Sequence, residues 1–212
     1  MNLIKLTDDV YLLESTKGKG GYVFVIMGKE IILINTGFPG KLKKIEKELI
    51  SLGIQLCQVK HILLTHYDID HIGNAALLQE LSGADLWASE EDISVINGDV
   101  ERYGFKKYFK YIFRLKKPKK IKPLAQGQCI DDIEVIPTPG HTPGHLCFLY
   151  KDVLFAGDLL ENKNSKLRPY PKAWNWDNKI MLQSIHKISQ IPFKLVCPSH
   201  GEPINRGGFF SN

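Results

Sequence analysis

The chain has 212 residues, of which 43% are hydrophobic and 24% are charged, and its formal net charge is +5 at pH 7. This length and composition suit one buried core and exclude a disordered or collagen-like chain, so we predict a single domain over residues 1–212. The first residues mix apolar side chains with Lys5, Asp8 and Asp9. That pattern is unlike a signal peptide or a transmembrane segment, and a cytoplasmic location is therefore expected.

Four cysteines are spread along the chain without a CxxC pair, namely Cys57, Cys129, Cys147 and Cys197. A disulfide framework or a cysteine zinc site is therefore not expected, and the pattern suits a reducing compartment.

The first third of the chain predicts strands followed by a helix. Apolar runs at 10–14, 22–27 and 30–35 are typical of strands. A helix is predicted over about 41–52, because its apolar residues recur at spacings of three and four. Ser89 then follows another predicted strand and is typical of a helix N-cap.

The stretch 59–73 joins a buried-strand pattern to a cluster of polar residues. A short apolar run is followed by His66, Asp68, Asp70 and His71 within six residues. A helix is predicted directly afterwards. Four side chains that can bind a metal ion therefore lie on one turn between a strand and a helix.

The second half of the chain repeats this arrangement. Strand-like runs are followed by His141 in TPGHTPGH, by Asp158 in LFAGD and by His200 in CPSHG. A divalent ion needs such ligands at about 2.0–2.2 Å in a fixed arrangement, which loops at strand ends can provide. The residues alone therefore predict a metal site.

The ordered motifs HxxxDH, TPGHTPGH, GD and SHG resemble those of the metallo-β-lactamase superfamily, most closely its small hydrolases of the glyoxalase II and lactonase type. The resemblance implies an α/β fold, the four-layer αβ/βα sandwich, with two divalent metal ions along one edge. Carried over by position, it implies one ion bound by His66, Asp68 and His141, a second bound by Asp70, His71 and His200, and Asp158 bridging the two.

Two positions depart from the family pattern. Asp68 stands where the family usually has His, and Asn35 stands where it usually has Asp before Thr-Gly. A carboxylate at position 68 can bind directly, bind through water, or leave the first site weak. Counted over the ligands alone, it lowers the site charge by one unit, which favours harder ions such as iron or manganese, although zinc is expected first. Asn35 and His145 are expected to support the ligands through hydrogen bonds.

The implied reaction is hydrolysis of a small ester, thioester or lactone by a metal-bridging hydroxide, with Asp70 as ligand and orienting base. Two alternatives belong to other classes of protein. One is a di-iron redox protein, since the flavodiiron branch of the superfamily also carries a carboxylate at the second ligand position. The other is a binding or regulatory protein whose weakened site no longer turns over.

Residues 102–122 differ from the rest of the chain. They hold ten Lys or Arg, no acidic residue and six aromatic side chains, and without these ten charges the remainder carries −5. We interpret them as part of an insertion at about 97–122. It could be a lid that attracts anionic substrates, a membrane-surface or nucleic-acid patch, or a homodimer contact. Variation of substrate choice in this part of the family favours the lid, and no nucleic-acid partner is expected.

Residues 159–176 are too polar and proline-containing for a core element, and we predict that they run near the metal edge, with an ordinary surface loop as the alternative. The candidate substrate-binding residues come from this stretch and from the HYDIDH turn, and they are Tyr67, Arg168, Tyr170, Trp174 and Trp176.

Overall fold

The first half of the chain builds a seven-stranded sheet in the computed structural model, which describes residues 4–18 and 20–207. Its strands neighbour one another in chain order: β1 (Ile4–Lys5), β2 (Val10–Leu12), β3 (Phe24–Met27), β4 (Ile31–Ile34), β5 (Val59–Leu63), β6 (Asp85–Ser89) and β7 (Ile121–Leu124). Pairing is antiparallel from β1 to β4 and parallel from β4 to β7.

The second half adds eight strands: β8 (Cys129–Ile130), β9 (Ile133–Pro137), β10 (Leu146–Tyr150), β11 (Val153–Gly157), β12 (Leu160–Lys163), β13 (Lys166–Pro169), β14 (Leu195–Pro198) and β15 (Ile204–Asn205). Six of them form a second sheet in the order β15-β14-β11-β10-β9-β8, while β12 and β13 form a separate hairpin.

Over the residues that the structure describes, six α-helices accompany the sheets: α1 (Leu42–Ser51), α2 (Ile69–Ile72), α3 (Ala75–Ser82), α4 (Glu90–Asn97), α5 (Phe109–Ile112) and α6 (Asn178–Ser189). Ser89 caps α4 by accepting a hydrogen bond from the backbone N–H of Asp92 at 3.2 Å, as the sequence predicted. None of the helices in the described part of the chain is long and apolar enough to span a bilayer.

Both sheets are buried on two faces, which explains their continuous apolar runs. In β4, Ile32 and Ile34 face the second sheet, whereas Leu33 packs with residues of α1 and α3. On the far side of the second sheet, Leu154 packs with Met181 of α6. Each such side chain contributes about 1.5–3 kcal/mol when fully buried. The layers therefore run helix, sheet, sheet, helix, and the predicted four-layer αβ/βα sandwich is confirmed.

Strand direction brings the ligand loops to one edge. Strands β9 and β11 both pair antiparallel with β10, and β14 pairs parallel with β11, so all three point the same way. The loops that follow them carry residues 141, 158 and 200. The backbone N–H of Leu146 donates to the carbonyl of Thr65 at 2.8 Å and joins this edge to the end of β5.

One local expectation was wrong. The segment 159–176 is not excluded from the core, because the β12–β13 hairpin buries Leu159 and Leu160 completely against α6 and the second sheet. The polarity of the local sequence did not predict which side chains are buried by tertiary packing.

Asp92 of α4 ties the two histidine-bearing loops together. Its side chain is buried, and Oδ2 accepts from the backbone N–H of Tyr67 at 2.8 Å and from the hydroxyl of Thr142 at 3.2 Å. The other oxygen, Oδ1, accepts from the backbone N–H of Gly144 at 3.1 Å. A Cβ at position 144 would collide with Ser89 and Asp92, so only glycine allows this approach. Asp92 therefore fixes the spacing between the HYDIDH and TPGHTPGH loops.

Replacing Asp92 with Ala should lower the free energy of unfolding by about 2–4 kcal/mol, because it leaves the buried N–H groups of Tyr67 and Gly144 unpaired. Asp92→Asn should cost less, since its amide oxygen still accepts from Tyr67. Urea unfolding should be measured at pH 8, because burial raises the pKa of Asp92 to about 7. Glu91→Ala, exposed one residue away, is the control and should cost less than about 1 kcal/mol. Equal losses of unfolding free energy in Asp92→Ala and in the control would contradict the role of Asp92 in holding the two loops together.

Candidate metal centre

Seven side chains that could hold metal ions meet at this edge in two groups. The first group is His66, Asp68, His141 and Asp158, and the second is Asp70, His71 and His200. Within each group the candidate ligand atoms lie within 4.8 Å of one another. The structure thus brings together all seven residues that the sequence proposed as ligands.

Asp158 lies between the two groups. Its Oδ2 is 3.8 Å from His66 Nε2 and 3.5 Å from His141 Nε2, whereas its Oδ1 is 3.4 Å from both His71 Nε2 and His200 Nε2. Each carboxylate oxygen therefore faces a different pair of imidazoles. One residue could serve both groups.

Thr65 sets the orientation of two imidazoles. Its hydroxyl donates to Asn35 Oδ1 at 3.0 Å, and its oxygen can then accept from His66 Nδ1 at 3.0 Å and from His71 Nδ1 at 3.4 Å. Asn35 Oδ1 also accepts from the backbone N–H of Thr65 at 2.9 Å, and Asn35 itself has a φ of +62°, which asparagine tolerates. With their protons on Nδ1, His66 and His71 direct their Nε2 lone pairs into the site.

His141 is oriented in the same way by Asn175. The amide nitrogen of Asn175 donates to Tyr170 O at 3.2 Å and to Asn178 Oδ1 at 2.8 Å, which assigns its oxygen to the side of His141. His141 Nδ1 lies 3.0 Å from that oxygen and donates to it. Its Nε2 therefore also presents a lone pair to the site.

His145 lies behind the ligands. Its Nε2 accepts from the backbone N–H of Asp158 at 3.1 Å, and its Nδ1 faces the hydroxyl of Thr138 at 2.9 Å. Burial, with a smaller contribution from His141, lowers the pKa of His145 to about 3, so the ring is neutral. This geometry positions Asp158 and leaves His145 no free nitrogen for a metal ion.

The electrostatics of the site are dominated by burial and by opposite charges. Burial lowers the pKa of His66 well below its usual value, and His71 adds to this. Burial opposes ionisation of Asp158, but His200 and His71 outweigh it and hold the pKa of Asp158 well below its ordinary value. Although burial opposes it, Asp158 and Asp70 raise the pKa of His200. A metal ion that binds His200 must displace this proton, so affinity should fall with falling pH.

These residues fit divalent metal ions. Among the described residues, the buried polar atoms without a hydrogen-bond partner include His66 Nε2, His71 Nε2, His200 Nε2 and Asp158 Oδ1. Unpaired buried groups of this kind are costly unless something else binds them. Two ligands on one tetrahedral ion lie about 3.4 Å apart, and the separations between these histidine nitrogens and Asp158 are 3.4–3.8 Å.

Asp68 is held by a residue that sequence reasoning did not assign to the site. Lys106 Nζ lies 2.5 Å from Asp68 Oδ2 and 3.1 Å from His141 Nε2, and its side chain is only 5% exposed. Burial opposes ionisation of Asp68, but the Lys106 ammonium group keeps its pKa well below the usual value. Asp68 adds one negative charge to the ligand set, and the Lys106 ammonium adds one positive charge beside it. The net charge of the site as a whole is therefore not lowered by Asp68.

A cavity of about 60 Å³ adjoins His141 and is lined in part by Tyr67, Lys106, Trp174 and Trp176. Three of the predicted substrate-binding residues thus lie beside the site, although Tyr67 is almost fully buried.

Tyr170 packs directly on the ligands, with its ring centroid 4.9 Å from that of His141 and 5.4 Å from that of His200. Burial and the carboxylates of Asp158 and Asp70 raise its pKa, so it keeps its hydroxyl proton. Arg168, by contrast, is exposed, donates to Glu161 Oε1 at 2.5 Å and does not line the cavity, so the structure does not support its predicted role.

Sequence reasoning missed Thr65, Asp92, Lys106 and Asn175, which act on the ligands from neighbouring loops. Thr65 could have been found, because it directly precedes His66. Lys106 and Asn175 lie in segments that were singled out for their charge and for their place near the metal edge. Nothing in their local sequence separates them from their neighbours, since long-range contacts bring them to the site.

Comparison with known sequences agrees with the site geometry. The family model described as the metallo-beta-lactamase superfamily matches residues 17–200. The probable metallo-hydrolase YybB of Bacillus subtilis is 29% identical over 185 residues, which cover 85% of this chain and 80% of that protein. Hydroxyacylglutathione hydrolase GloC of Haemophilus influenzae is 26% identical over 186 residues, which cover 82% and 81% of the two chains.

Solved structures show the same fold. A metallo-beta-lactamase family protein of Thermus thermophilus is similar with a TM-score of 0.75 at 24% identity, covering 95% of this chain and 76% of that one. A metallo-beta-lactamase of Cronobacter sakazakii has a TM-score of 0.72 at 18% identity, with 94% and 78% covered. At these identities the likeness concerns the fold alone. Since the family model spans most of the sequence, the chain belongs to the metallo-beta-lactamase superfamily.

Proposed function

We propose that this protein is a metal-dependent hydrolase of small esters, thioesters or lactones. The observation that carries the proposal is the pair of ligand groups that share Asp158, with the Nε2 atoms of His66, His71 and His200 unpaired and buried. A fixed cluster of neutral imidazoles and carboxylates is the donor set that zinc, iron or manganese binds.

The first group would hold one divalent ion and the second group another, with Asp158 shared. Bound there, the ions would supply Lewis-acid polarisation of a carbonyl group and activation of water. The protein supplies the orientation, through the hydrogen bonds of Thr65, Asn175 and His145 to the ligands.

Asp70 is suited to handle a proton. Its Oδ2 is 3.2 Å from His200 Nε2 and 3.7 Å from His71 Nε2, and its side chain is 23% exposed, so solvent reaches it. One oxygen can bind an ion while the other orients water or accepts its proton. Tyr170 can donate a hydrogen bond from its neutral hydroxyl to a substrate oxygen, since its ring packs on those of His141 and His200.

The substrate class is inferred from the relatives and the surroundings. GloC, whose name describes a thioester hydrolase, supports a thioester. Trp174 and Trp176 offer apolar walls beside His141, and exposed Lys107, next to Lys106 in the chain, offers positive charge. An anionic ester or thioester with an apolar portion fits both features.

At saturating zinc, the protein should bind two ions per chain in equilibrium dialysis. His71→Ala or His200→Ala should each remove about one ion and lower thioester or ester hydrolysis more than about 100-fold, because each deletes a ligand with no substitute. The matched control is His186→Ala, which removes an exposed histidine of α6 and should change neither quantity. The proposal fails if no divalent ion binds, or if hydrolysis survives complete removal of metal.

Replacing both Lys107 and Lys110 with Gln should raise KM for an anionic substrate a few-fold and flatten its dependence on salt, because these exposed lysines belong to the same segment as Lys106 and their charge attracts anions toward it. A neutral substrate of the same size should be unaffected. Lys43→Gln with Lys44→Gln on α1 removes the same charge from another exposed surface and should leave KM unchanged. Unchanged kinetics with an altered oligomeric state would favour the dimer interpretation instead.

A further inference from the structure

Lys106 lies inside the first ligand group. Its Nζ is 2.5 Å from Asp68 Oδ2 and 3.1 Å from His141 Nε2. The Nδ1 proton of His141 is committed to Asn175, so in the neutral ring Nε2 is an acceptor, 3.0 Å from Asp68 Oδ2, and the ammonium group donates to both of these acceptors. These two atoms are the same acceptors that a metal ion in the first group would need.

The segment that carries Lys106 is anchored by aromatic packing. The ring of Phe105 packs on Trp174 with centroids 4.8 Å apart, and the ring of Tyr103 packs on Trp176 at 6.5 Å. Lys106 is thereby directed inward and buried, whereas its neighbour Lys107 is exposed. The position of Lys106 therefore follows from the packing of this segment.

The second group differs, because in the described part of the chain its carboxylates form ion pairs only with histidines that are themselves candidate ligands. Within the described residues, neither Asp70 nor Asp158 forms an ion pair with a lysine or arginine, and both face imidazoles. His71 Nε2 and His200 Nε2 have no hydrogen-bond partner. The two groups are thus unequal: the side chain of Lys106, which is not a candidate ligand, occupies the carboxylate and a histidine of the first group, whereas in the second group Asp70 and the shared Asp158 pair with ligand histidines.

We propose that Lys106 is the resident cation of the first group and makes metal binding stepwise. The first ion binds tightly to Asp70, His71 and His200, and the second binds weakly because it must displace the Lys106 ammonium from Asp68 and His141. This inference rests on the proposed metal-binding function. It adds that activity depends on free metal concentration over the range in which the second ion binds.

Zinc titration in competition with a chromophoric chelator tests the proposal. The wild-type protein should show one tight and one weak step. Lys106→Met keeps the side-chain length without the charge and should tighten the weak step roughly 100-fold, because a fixed cation beside a divalent ion repels it strongly. The tight step should change by less than about threefold. Lys107→Met is the matched control, and Lys106→Arg should keep the weak step weak.

Thermal unfolding with and without zinc gives a second readout, because Lys106→Met removes the ammonium partner of Asp68 in the metal-free protein and leaves this carboxylate only its histidine neighbours. Zinc should raise the melting temperature of this variant more than that of the wild type. An unchanged weak step in Lys106→Met, or a weaker one, would overturn the proposal, the latter by showing that Lys106 supports the ion. Absence of zinc binding in the wild type and every variant would overturn the proposed function itself, and this inference with it.

Discussion

The carboxylate of Asp158 is buried among four imidazole rings, and each of its oxygens faces a different pair of them. A buried carboxylate is costly unless opposite charge or hydrogen-bond donors surround it, so the loops that carry these rings must converge. That requirement explains why β9, β11 and β14 all point to one edge of their sheet. The apolar faces of both sheets hold this edge rigid, since they are packed on two sides.

A second constraint acts on the proton of each imidazole. Thr65 faces the Nδ1 atoms of His66 and His71, and Asn175 faces Nδ1 of His141. These contacts leave the Nε2 lone pairs directed at one small volume, which is the arrangement that a cation requires. Asn35 supports Thr65 through two hydrogen bonds, so the neutral amide at this position suffices to hold the loop. A charged side chain at position 35 is not needed for this contact.

Much of the fold could be predicted from the sequence, because apolar runs and helix caps are determined by residues that are close together in the chain. Strands β3, β4 and β10 are apolar runs bounded by turns, and Ser89 caps α4 through its own hydroxyl group. The order of the ligand motifs predicted the family, and the resemblance to that family predicted the four-layer fold. The β12–β13 hairpin was not foreseen, since its few buried leucines are separated by polar residues. Lys106 was not foreseen because its partners, Asp68 and His141, lie 38 and 35 positions away.

Asp68 and Lys106 are best understood as one departure from the family pattern. An aspartate in place of a neutral histidine adds a negative charge to a buried site, and that alone favours hard metal ions. The Lys106 ammonium offsets the charge through a contact of 2.5 Å, so the pair is as neutral as the histidine that the resemblance implies at position 68. The pair differs from histidine in that its two members can separate. A histidine presents one fixed lone pair, whereas Asp68 becomes a free carboxylate ligand only when Lys106 moves. Metal binding by the first ligand group therefore depends on the position of the basic insertion at about 97–122, which carries Lys106. Most of the other lysines in this insertion are exposed.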